Sequence, residues 1–286
     1  MPNARDINKR IKSVKNTQQI TKAMKMVSSV RLLRAQERAL ATAPYTERLE
    51  RLVYNLAATV TDEVTPLLQE RHQIKRVCYI VIGADKGLAG GFTSNLMKVA
   101  VKVIEQQKSE NYDVVAIGRK TQDYLKNNHI AIFSAMDGFS DKPAYEHAKA
   151  IAGKATKRFL AEDIDEVYVV YTHFMSALQQ EVRTTRLLPA VEKTTDREAI
   201  NCEYIFTPDS QQVLALLVPQ YVETVVYNAL LQSAASELGS RMIAMTAATD
   251  NAGELIDQLT LHYNKVRQSG ITNEISEIVS GANALE

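Results

Sequence analysis

Cysteine is scarce in this sequence. Only two of the 286 residues are cysteines, Cys78 and Cys202, and neither lies in a C-x-x-C motif. Two thiols are too few for a disulfide framework, and their scarcity is typical of proteins from a reducing compartment. The five histidines are scattered and form no H-E-x-x-H motif, so the sequence predicts no metal site.

Long hydrophobic runs are also missing. The longest are VCYIVIGA (77–84) and VLALLV (213–218), far shorter than the roughly 20 residues that span a bilayer. The N-terminal residues carry a charge every few positions and lack the apolar core of a signal peptide. We therefore expect a soluble protein that reaches a membrane only through a partner.

Motifs of known catalytic sites are absent as well. The stretch GADKGLAGGFTSN (83–95) follows a predicted strand and precedes a predicted helix, the usual place of a phosphate-binding loop. Its glycines lack the G-x-G-x-x-G spacing, and no G-K-[ST] supplies a lysine for a nucleotide. No G-x-S-x-G motif is present, and the acidic cluster at 162–166 is more typical of a solvated turn than of an acid–base pair. We predict no cofactor and no independent enzyme activity. The loop is then a tight turn, or a contact to another protein with Asp85 and Lys86 at its tip.

Glycine and proline are absent from residues 10–40, which predicts a long helix. Residues 1–40 contain ten lysines and arginines against two acidic residues, Asp6 and Glu37, although the whole chain has a net charge of only +1. DNA, a membrane surface and an acidic protein ring could each attract such a helix. Its basic residues lie all round the helix and no aromatic residue precedes Tyr45, which disfavours nucleic acid.

The helical pattern extends over residues 3–60. An apolar stripe with one irregular step is formed by Ile7, Ile11, Val14, Ile20, Met24 and Val27. Neutral polar residues at 16–19 and Thr21 interrupt it. Pro44 should kink or interrupt the helix, because proline lacks a backbone donor and clashes with the preceding turn.

Short β-rich runs alternate with helical segments over residues 75–192, which predicts a mostly parallel α/β sheet. The predicted strands are 76–83, 112–118, 129–133 and 165–174, and residues 177–190 form a further edge strand that could be antiparallel. The predicted helices are about 93–108, 119–128 and 143–161.

The third region, residues 209–286, is helical again. Steps of four and three residues connect Tyr221, Val225, Asn228, Gln232, Ala235, Gly239, Met242, Thr246, Thr249, Gly253, Ile256, Thr260 and Tyr263. This heptad seam predicts an antiparallel coiled coil with the N-terminal helix. Pro219 should mark a kink or break near its start. Small residues fill much of the seam between 233 and 253, so the pair should bury little area and be marginal without a surrounding collar.

Several of these segments match one family. ITNEISEIVSGA (271–282) fits the pattern I-T-x-E-[IL]-x-E-[IV]-V-x-G-A, and ATDNA (248–252) precedes it. RIKSVKNTQQITKAMKMV (10–27) is similar to the family's N-terminal helix. DKGLAGGF (85–92) resembles D-[KR]-G-L-C-G-G, with alanine in place of cysteine. The sequence thus resembles the gamma subunit of F-type ATP synthases in both ends, the middle and the order of the three regions.

The resemblance implies a rotor shaft in a proton-translocating ATP synthase. Its terminal helices would form the coiled coil inside a hexamer of alternating alpha and beta subunits. A Rossmann-like α/β domain would lie below, beside the epsilon subunit and on the membrane c-ring. One copy per complex would pass torque between the c-ring and the catalytic hexamer, as a non-catalytic subunit. The basic helix would then face acidic loops of the beta subunits.

Individual positions carry roles over from the family. Arg267 and Gln268 match a catch that bonds to a beta-subunit loop, with Thr272 and Glu274 as neighbouring contacts. The N-terminal face near the acidic beta loops is matched by Lys22, Met24 and Lys25. Tyr204 and Phe206, in the foot segment, would touch epsilon or the c-ring.

The resemblance is to the bacterial type. The regulatory dithiol insertion of chloroplast members, expected near residues 190–205, is absent, and Cys202 has no cysteine nearby. The implied location is the cytoplasmic face of the plasma membrane, as a peripheral protein. A coiled-coil adaptor or a nucleic-acid-binding arm with an α/β head is the alternative.

Overall fold

The structure, a computed structural model, describes residues 4–59, 65–106, 111–190 and 210–283. The chain divides into two compact units. We call residues 1–28 and 242–286 the helical unit and residues 29–241 the head. Helix α1 (Ala4–Thr59) and helix α5 (Ser210–Asn283) each contribute residues to both units.

The head contains a five-stranded sheet in the order β3-β2-β1-β4-β5. Its strands are β1 (Arg76–Ile82), β2 (Asn111–Ile117), β3 (Ser134–Met136), β4 (Glu166–Phe174) and β5 (Gln180–Leu188). The first four are parallel, and β5 pairs antiparallel with β4 at one edge. The connecting helices are α2 (Phe92–Gln106), α3 (Arg119–Asn127) and α4 (Tyr145–Leu160). The predicted α/β class and the antiparallel edge strand are therefore confirmed.

One predicted strand is wrong. Residues 129–133 precede β3 and are not part of the sheet. His129 has a φ of 56°, a left-handed conformation that a strand cannot contain. Ile130 and Ile132 are nevertheless partly buried against the core. The apolar run therefore reflects packing of a turn on the core, which a sequence pattern cannot distinguish from a short strand.

Successive residues of the strands pack on opposite faces of the sheet, which divides the head core in two. On one face, residues such as Val77 and Tyr79 pack with α2 and α3. On the other, Cys78 and Ile80 pack with α4 and with parts of α1 and α5. Parallel strands buried on both faces are typical of a three-layer α/β arrangement. The terminal helices are thus part of the head core.

Neither proline interrupts its helix, because α1 continues through Pro44 and α5 continues through Pro219. A kink at either proline stays a prediction. Pro44 removes the N–H that would bond to the carbonyl of Leu40, and Leu40 is strongly exposed, where water can satisfy that carbonyl. On α5, Val218 and Tyr221 flank the proline and are fully buried. Tertiary packing therefore outweighs the local cost of proline at Pro219, whereas access of water to the freed carbonyl reduces that cost at Pro44.

Helix α5 is long enough, and on average apolar enough, to cross a membrane, and it is the one such helix in the described part of the chain. Val218, Val222 and Val226 of α5 are buried in the head core. This part of α5 is therefore a core helix of the head.

In the helical unit the two long helices pair antiparallel, as predicted. Thr21 Oγ1 lies 2.8 Å from Thr249 Oγ1, and Gln18 Nε2 donates to the Thr249 carbonyl at 3.4 Å. A Cβ on Gly253 would lie 3.2 Å from Gln18 Nε2, so the missing side chain allows close approach. Residues further along α1 therefore contact residues earlier in α5, as in an antiparallel pair.

The predicted apolar stripe on α1 is only partly correct. Ile7 and Ile11 are buried, but Ile20 and Val27 are 60% and 53% exposed. Polar residues take the seam instead, with Thr21 at 9% and Ser28 at 4% exposure. Thr21 and Ser28 lie 14 and 21 residues after Ile7, so they continue its heptad repeat, whereas Ile20 and Val27 do not. The heptad spacing therefore decides which residues face α5, even where those residues are polar. On α5, Thr260 of the predicted seam is exposed.

Candidate functional site

The strand order creates a crevice at the carboxyl end of the sheet. The chain leaves β1 for β2 on one side, and later returns through α4 to β4 on the other side of β1. The connections after β1 and β4 therefore lead away from each other. In open α/β sheets this switch point is where small ligands bind.

Here the crevice is occupied by the chain's own helix α5. Ser233 Oγ donates to the carbonyl of Ile82, the last residue of β1, at 3.1 Å. Ser236 Oγ donates to the Thr172 carbonyl in β4, also at 3.1 Å. A Cβ on Gly239 would lie 3.3 Å from the Phe174 ring. Small and hydroxyl-bearing residues thus let α5 approach the strand ends closely.

An ion pair on α5 joins this helix to the loop after β1. Arg241 Nη2 lies 2.6 Å from Glu237 Oε1, and both side chains are almost fully buried. The same guanidinium donates to the Lys86 carbonyl at 3.1 Å and to the Gly87 carbonyl at 3.2 Å. Burial raises the pKa of Glu237, while attraction to Arg241 and hydrogen bonds from Arg241 and Ser140 oppose this shift.

These contacts give the glycine-rich loop (residues 83–91) a polarity opposite to that of a phosphate site. A phosphate-binding loop directs backbone N–H groups at its ligand. The loop directs the carbonyls of Lys86 and Gly87 at the Arg241 guanidinium of α5. The crevice is built to hold a cationic side chain of the same chain.

Asp85, one of the two predicted contact residues in this loop, has a structural role. Its Oδ1 accepts the Arg119 N–H at 3.1 Å, and its Oδ2 accepts the N–H groups of Gly138 and Ser140, each at 2.9 Å. Burial alone would raise the pKa of Asp85, but these backbone hydrogen bonds together hold the pKa below its usual 3.8. Its contact to another protein stays a prediction.

Lys86, the second predicted contact residue, lies at the exposed tip of the loop. Its Nζ is 3.1 Å from Asp141 Oδ2, which also lies 2.6 Å from Arg31 Nη1 of α1. These two cations lower the pKa of Asp141, although burial alone would raise it. Next to Lys86, the apolar Leu88 is exposed and has a φ of 61°, which is uncommon for a non-glycine residue. The loop therefore presents Lys86 and Leu88 outward.

The remaining predicted site residues lie elsewhere. Lys22 is exposed on α1, and Met24 and Lys25 are half-buried there. On α5 the catch residues Arg267 and Gln268 are exposed, as are Thr272 and Glu274. The hydroxyl of Thr272 donates to the Gln268 carbonyl at 3.0 Å. Tyr204 and Phe206 lie outside the described residues.

The acidic cluster at the start of β4 forms hydrogen bonds to the start of β1, at the amino end of the sheet. Asp165 Oδ2 accepts the backbone N–H groups of Lys75 at 2.7 Å and Arg76 at 2.9 Å. Arg71 lies 3.4 Å from Asp165 Oδ1. This carboxylate thus orders the start of β1. The predicted solvated turn is correct for Glu162 and Asp163, which are exposed, but wrong for Asp165 and Glu166, which are buried. No grouping of three or more potential metal ligands occurs within the described ranges.

With this geometry established, comparison with known proteins assigns the family. A family model described as ATP synthase matches residues 3–285. The ATP synthase gamma chain of Desulfitobacterium hafniense is 45% identical over the full length of both chains. The chain belongs to the ATP synthase gamma chain family. The gamma chain of Brevibacillus brevis is 44% identical over 98% of each chain. This assignment decides against the adaptor and the nucleic-acid arm.

Solved structures agree with the fold of the ATP synthase gamma chain. One is the central stalk and c-ring of the Tetrahymena thermophila mitochondrial ATP synthase, at a TM-score of 0.61 and 22% identity, covering 80% of this chain and 99% of that one. Another is the rotor of the Euglena gracilis mitochondrial ATP synthase, at a TM-score of 0.67 and 15% identity. The match covers 94% of this chain and 98% of that one. At this identity the likeness concerns the fold alone.

The sequence analysis did not single out Glu237 and Arg241. Their spacing of four residues is a signal, because acidic and basic residues at i and i+4 face each other on a helix. They are also the two charges in a stretch from 229 to 245 in which every other residue except Gln232 is small or apolar. A charged pair at such a place indicates burial against polar partners.

We expect Asp85→Asn to destabilise the head by about 1–3 kcal/mol near neutral pH, because an amide replaces a carboxylate that accepts three backbone N–H groups. A carboxyl whose pKa is lowered on folding stabilises the native state above its unfolded pKa. That advantage is lost as the pH falls through the folded pKa, below 3.8.

The measurement is urea unfolding of wild type and variant over a series of pH values. The difference between them should shrink as the pH approaches and passes below about 4. The control is Asp123→Asn, because Asp123 is an exposed acid on α3. Equal stability of wild type and Asp85→Asn, or a difference independent of pH, would contradict this role.

Proposed function

We propose that this chain is the central-stalk rotor subunit of a bacterial F-type ATP synthase. In this role one copy per complex passes torque between the membrane c-ring and the hexamer of alpha and beta subunits. The chain itself has no catalytic site, and ATP is made or hydrolysed in the surrounding hexamer. Its similarity to bacterial gamma chains over its full length supports this role.

The observation that carries the proposal is the exposed end of α5. Every residue from 267 to 281 is exposed, although Ile271, Ile275 and Ile278 recur at steps of four and three. Such spacing forms one apolar stripe along a helix. Full burial of one isoleucine side chain stabilises by roughly 1.5–3 kcal/mol. The stripe is therefore suited to an enclosing protein sleeve, which the alpha and beta subunits would provide.

The exposed face of α1 fits the same environment. Ile20 and Val27 are exposed between basic residues such as Lys22, while polar side chains occupy the seam towards α5. Apolar residues interspersed with positive charges suit acidic loops of beta subunits that alternate with apolar surface. Charges on all sides of the helix suit a shaft that meets several such loops in turn.

The filled crevice also supports a non-catalytic role. Ligand sites in sheets of this topology need an open switch point. Here α5 fills that point: Ser233 and Ser236 donate hydrogen bonds to carbonyls of β1 and β4, and Arg241 donates to a carbonyl of the glycine-rich loop. The carboxyl end of the sheet in the head therefore binds a helix of the same chain instead of a ligand.

The membrane connection is indirect in this proposal. The head would rest on the c-ring beside the epsilon subunit, which places the protein peripherally at the cytoplasmic face of the plasma membrane. Tyr204 and Phe206 are proposed to make contact there on the basis of the family resemblance, since they lie outside the described residues.

Affinity purification tests the function directly. The tagged chain is co-expressed with the alpha, beta and epsilon subunits of a bacterial F-type ATP synthase. We expect alpha and beta subunits to co-purify in about threefold molar excess over the chain, as a closed ring around one shaft requires. The matched control is a chain lacking residues 267–286, because it keeps the head and loses the exposed stripe. Capture of nucleic acid or of equimolar partners only would contradict the proposal.

Arg267 provides a sharper test of the catch. An arginine fork can bond a carboxylate in two places, and a charged hydrogen bond in an enclosed site contributes about 1.5–3 kcal/mol. Arg267→Ala should therefore lower ATP turnover by about tenfold to a hundredfold while the complex still assembles. Arg267→Lys should recover only part of the rate, because lysine lacks the fork.

The measurement is steady-state ATP hydrolysis by purified complexes, with subunit ratios checked on a gel. Lys265→Ala is the matched control, since Lys265 is also an exposed cation on the same helix. Full activity of Arg267→Ala, or equal losses in the two variants, would remove the catch from this position.

A further inference from the structure

Glu237 and Arg241 form the most buried ion pair among the described residues. Their side chains are 1% and 8% exposed, whereas the other pairs each include a side chain that is at least 10% exposed. Removing two charges from water is costly, and a well-packed apolar pair is often as stable. A buried pair at this position therefore calls for a role beyond stabilising the fold.

The second partner of Arg241 indicates that role. Besides Glu237, its guanidinium bonds the carbonyls of Lys86 and Gly87, with Nε reaching the Gly87 carbonyl at 3.3 Å. An arginine fork sets both the distance and the direction of the groups it bonds. The carbonyls face α5, and the Lys86 and Leu88 side chains of the same loop are exposed.

The loop is held from a second direction by other elements of the head. Asp85 accepts the N–H groups of Gly138 and Ser140, in the segment between β3 and α4. Asp141 of that segment bonds both Lys86 and Arg31 of α1. Arg241 connects the loop backbone to α5 through its bonds to the Lys86 and Gly87 carbonyls.

We propose that Arg241, oriented by Glu237, is a positioning residue that takes the place of a ligand in the crevice and locks the glycine-rich loop onto α5. The lock presents Lys86 and Leu88 outward in a single arrangement. It also ties the carboxyl end of the sheet to the helix, so that a load on the head passes into α5. The statement about load rests on the proposed function, whereas the positioning of the loop does not.

The test uses the full chain with the double change Glu237→Leu/Arg241→Met. This pair keeps the packing volume and removes both charges, so the head should still fold. Hydrogen exchange is measured at the amides of residues 85–91 and of β1. We expect the loop amides to exchange at least about tenfold faster than in wild type, while β1 is unchanged. Loop exchange within about twofold of wild type would overturn the positioning role.

The matched control is Asp113→Leu/Arg158→Met. This pair is also largely buried, with Arg158 Nη1 2.7 Å from Asp113 Oδ2, but it lies near the amino end of the sheet. Its loss should leave exchange in the loop as in wild type. If hydrogen exchange in the loop became equally faster in both double variants, Arg241 would contribute only to general stability, and the proposal would be overturned. Arg241→Lys serves if the double variant does not fold, and it should accelerate loop exchange as well, because it keeps the charge without the fork.

Coupling is then measured in the assembled complex as protons pumped per ATP hydrolysed. The Glu237→Leu/Arg241→Met complex should assemble and hydrolyse ATP, with pumping per ATP at least about twofold lower than in wild type. Faster loop exchange with unchanged pumping per ATP would overturn the transfer of load. A wild-type chain that forms no such complex would instead contradict the proposed function, and the exchange result would still stand.

Discussion

The close approach of α5 to the strand ends is the constraint on which the rest of the head depends. Hydroxyl groups of Ser233 and Ser236 bond carbonyls of β1 and β4, and Gly239 has no side chain to hold the helix away. The approach removes the ligand site of the topology and makes the long helix part of the core. A sheet that holds a helix at its switch point can pass force into that helix, which is the role that a central stalk requires.

The helical unit follows a different principle. Thr21 and Thr249 meet through their hydroxyl groups, while Ile20 and Val27 face outward. Such a seam buries little apolar area, so the pair is weakly held by its own contacts. Outward apolar residues gain stability only when another surface covers them. The same sequence therefore specifies a head that is complete in itself and helices that are suited to a collar.

Much of the fold could be predicted from periodicity, and the exceptions have physical causes. The alternation of β-rich and helical segments predicts the sheet, because each element must bury one face. The small residues from 233 to 239 were interpreted as a weak coiled-coil seam, yet they are buried and serve contact with the sheet. Spacing along one helix cannot reveal which neighbour covers it. Arg241 was missed for the same reason, since its carbonyl partners come from a loop more than 150 residues away.

The proposed function requires this chain to rotate inside its complex, and rotation of a labelled head tests this most directly. A fluorescent bead is attached to a cysteine introduced at the exposed Lys126, with Cys202 changed to serine. Burial raises the pKa of Cys78 to about 12, so that thiol stays unlabelled. Complexes are fixed to a surface through the beta subunits and given ATP. The account predicts continuous rotation of the bead in one direction, whereas a bead that stays fixed in complexes that hydrolyse ATP would contradict it.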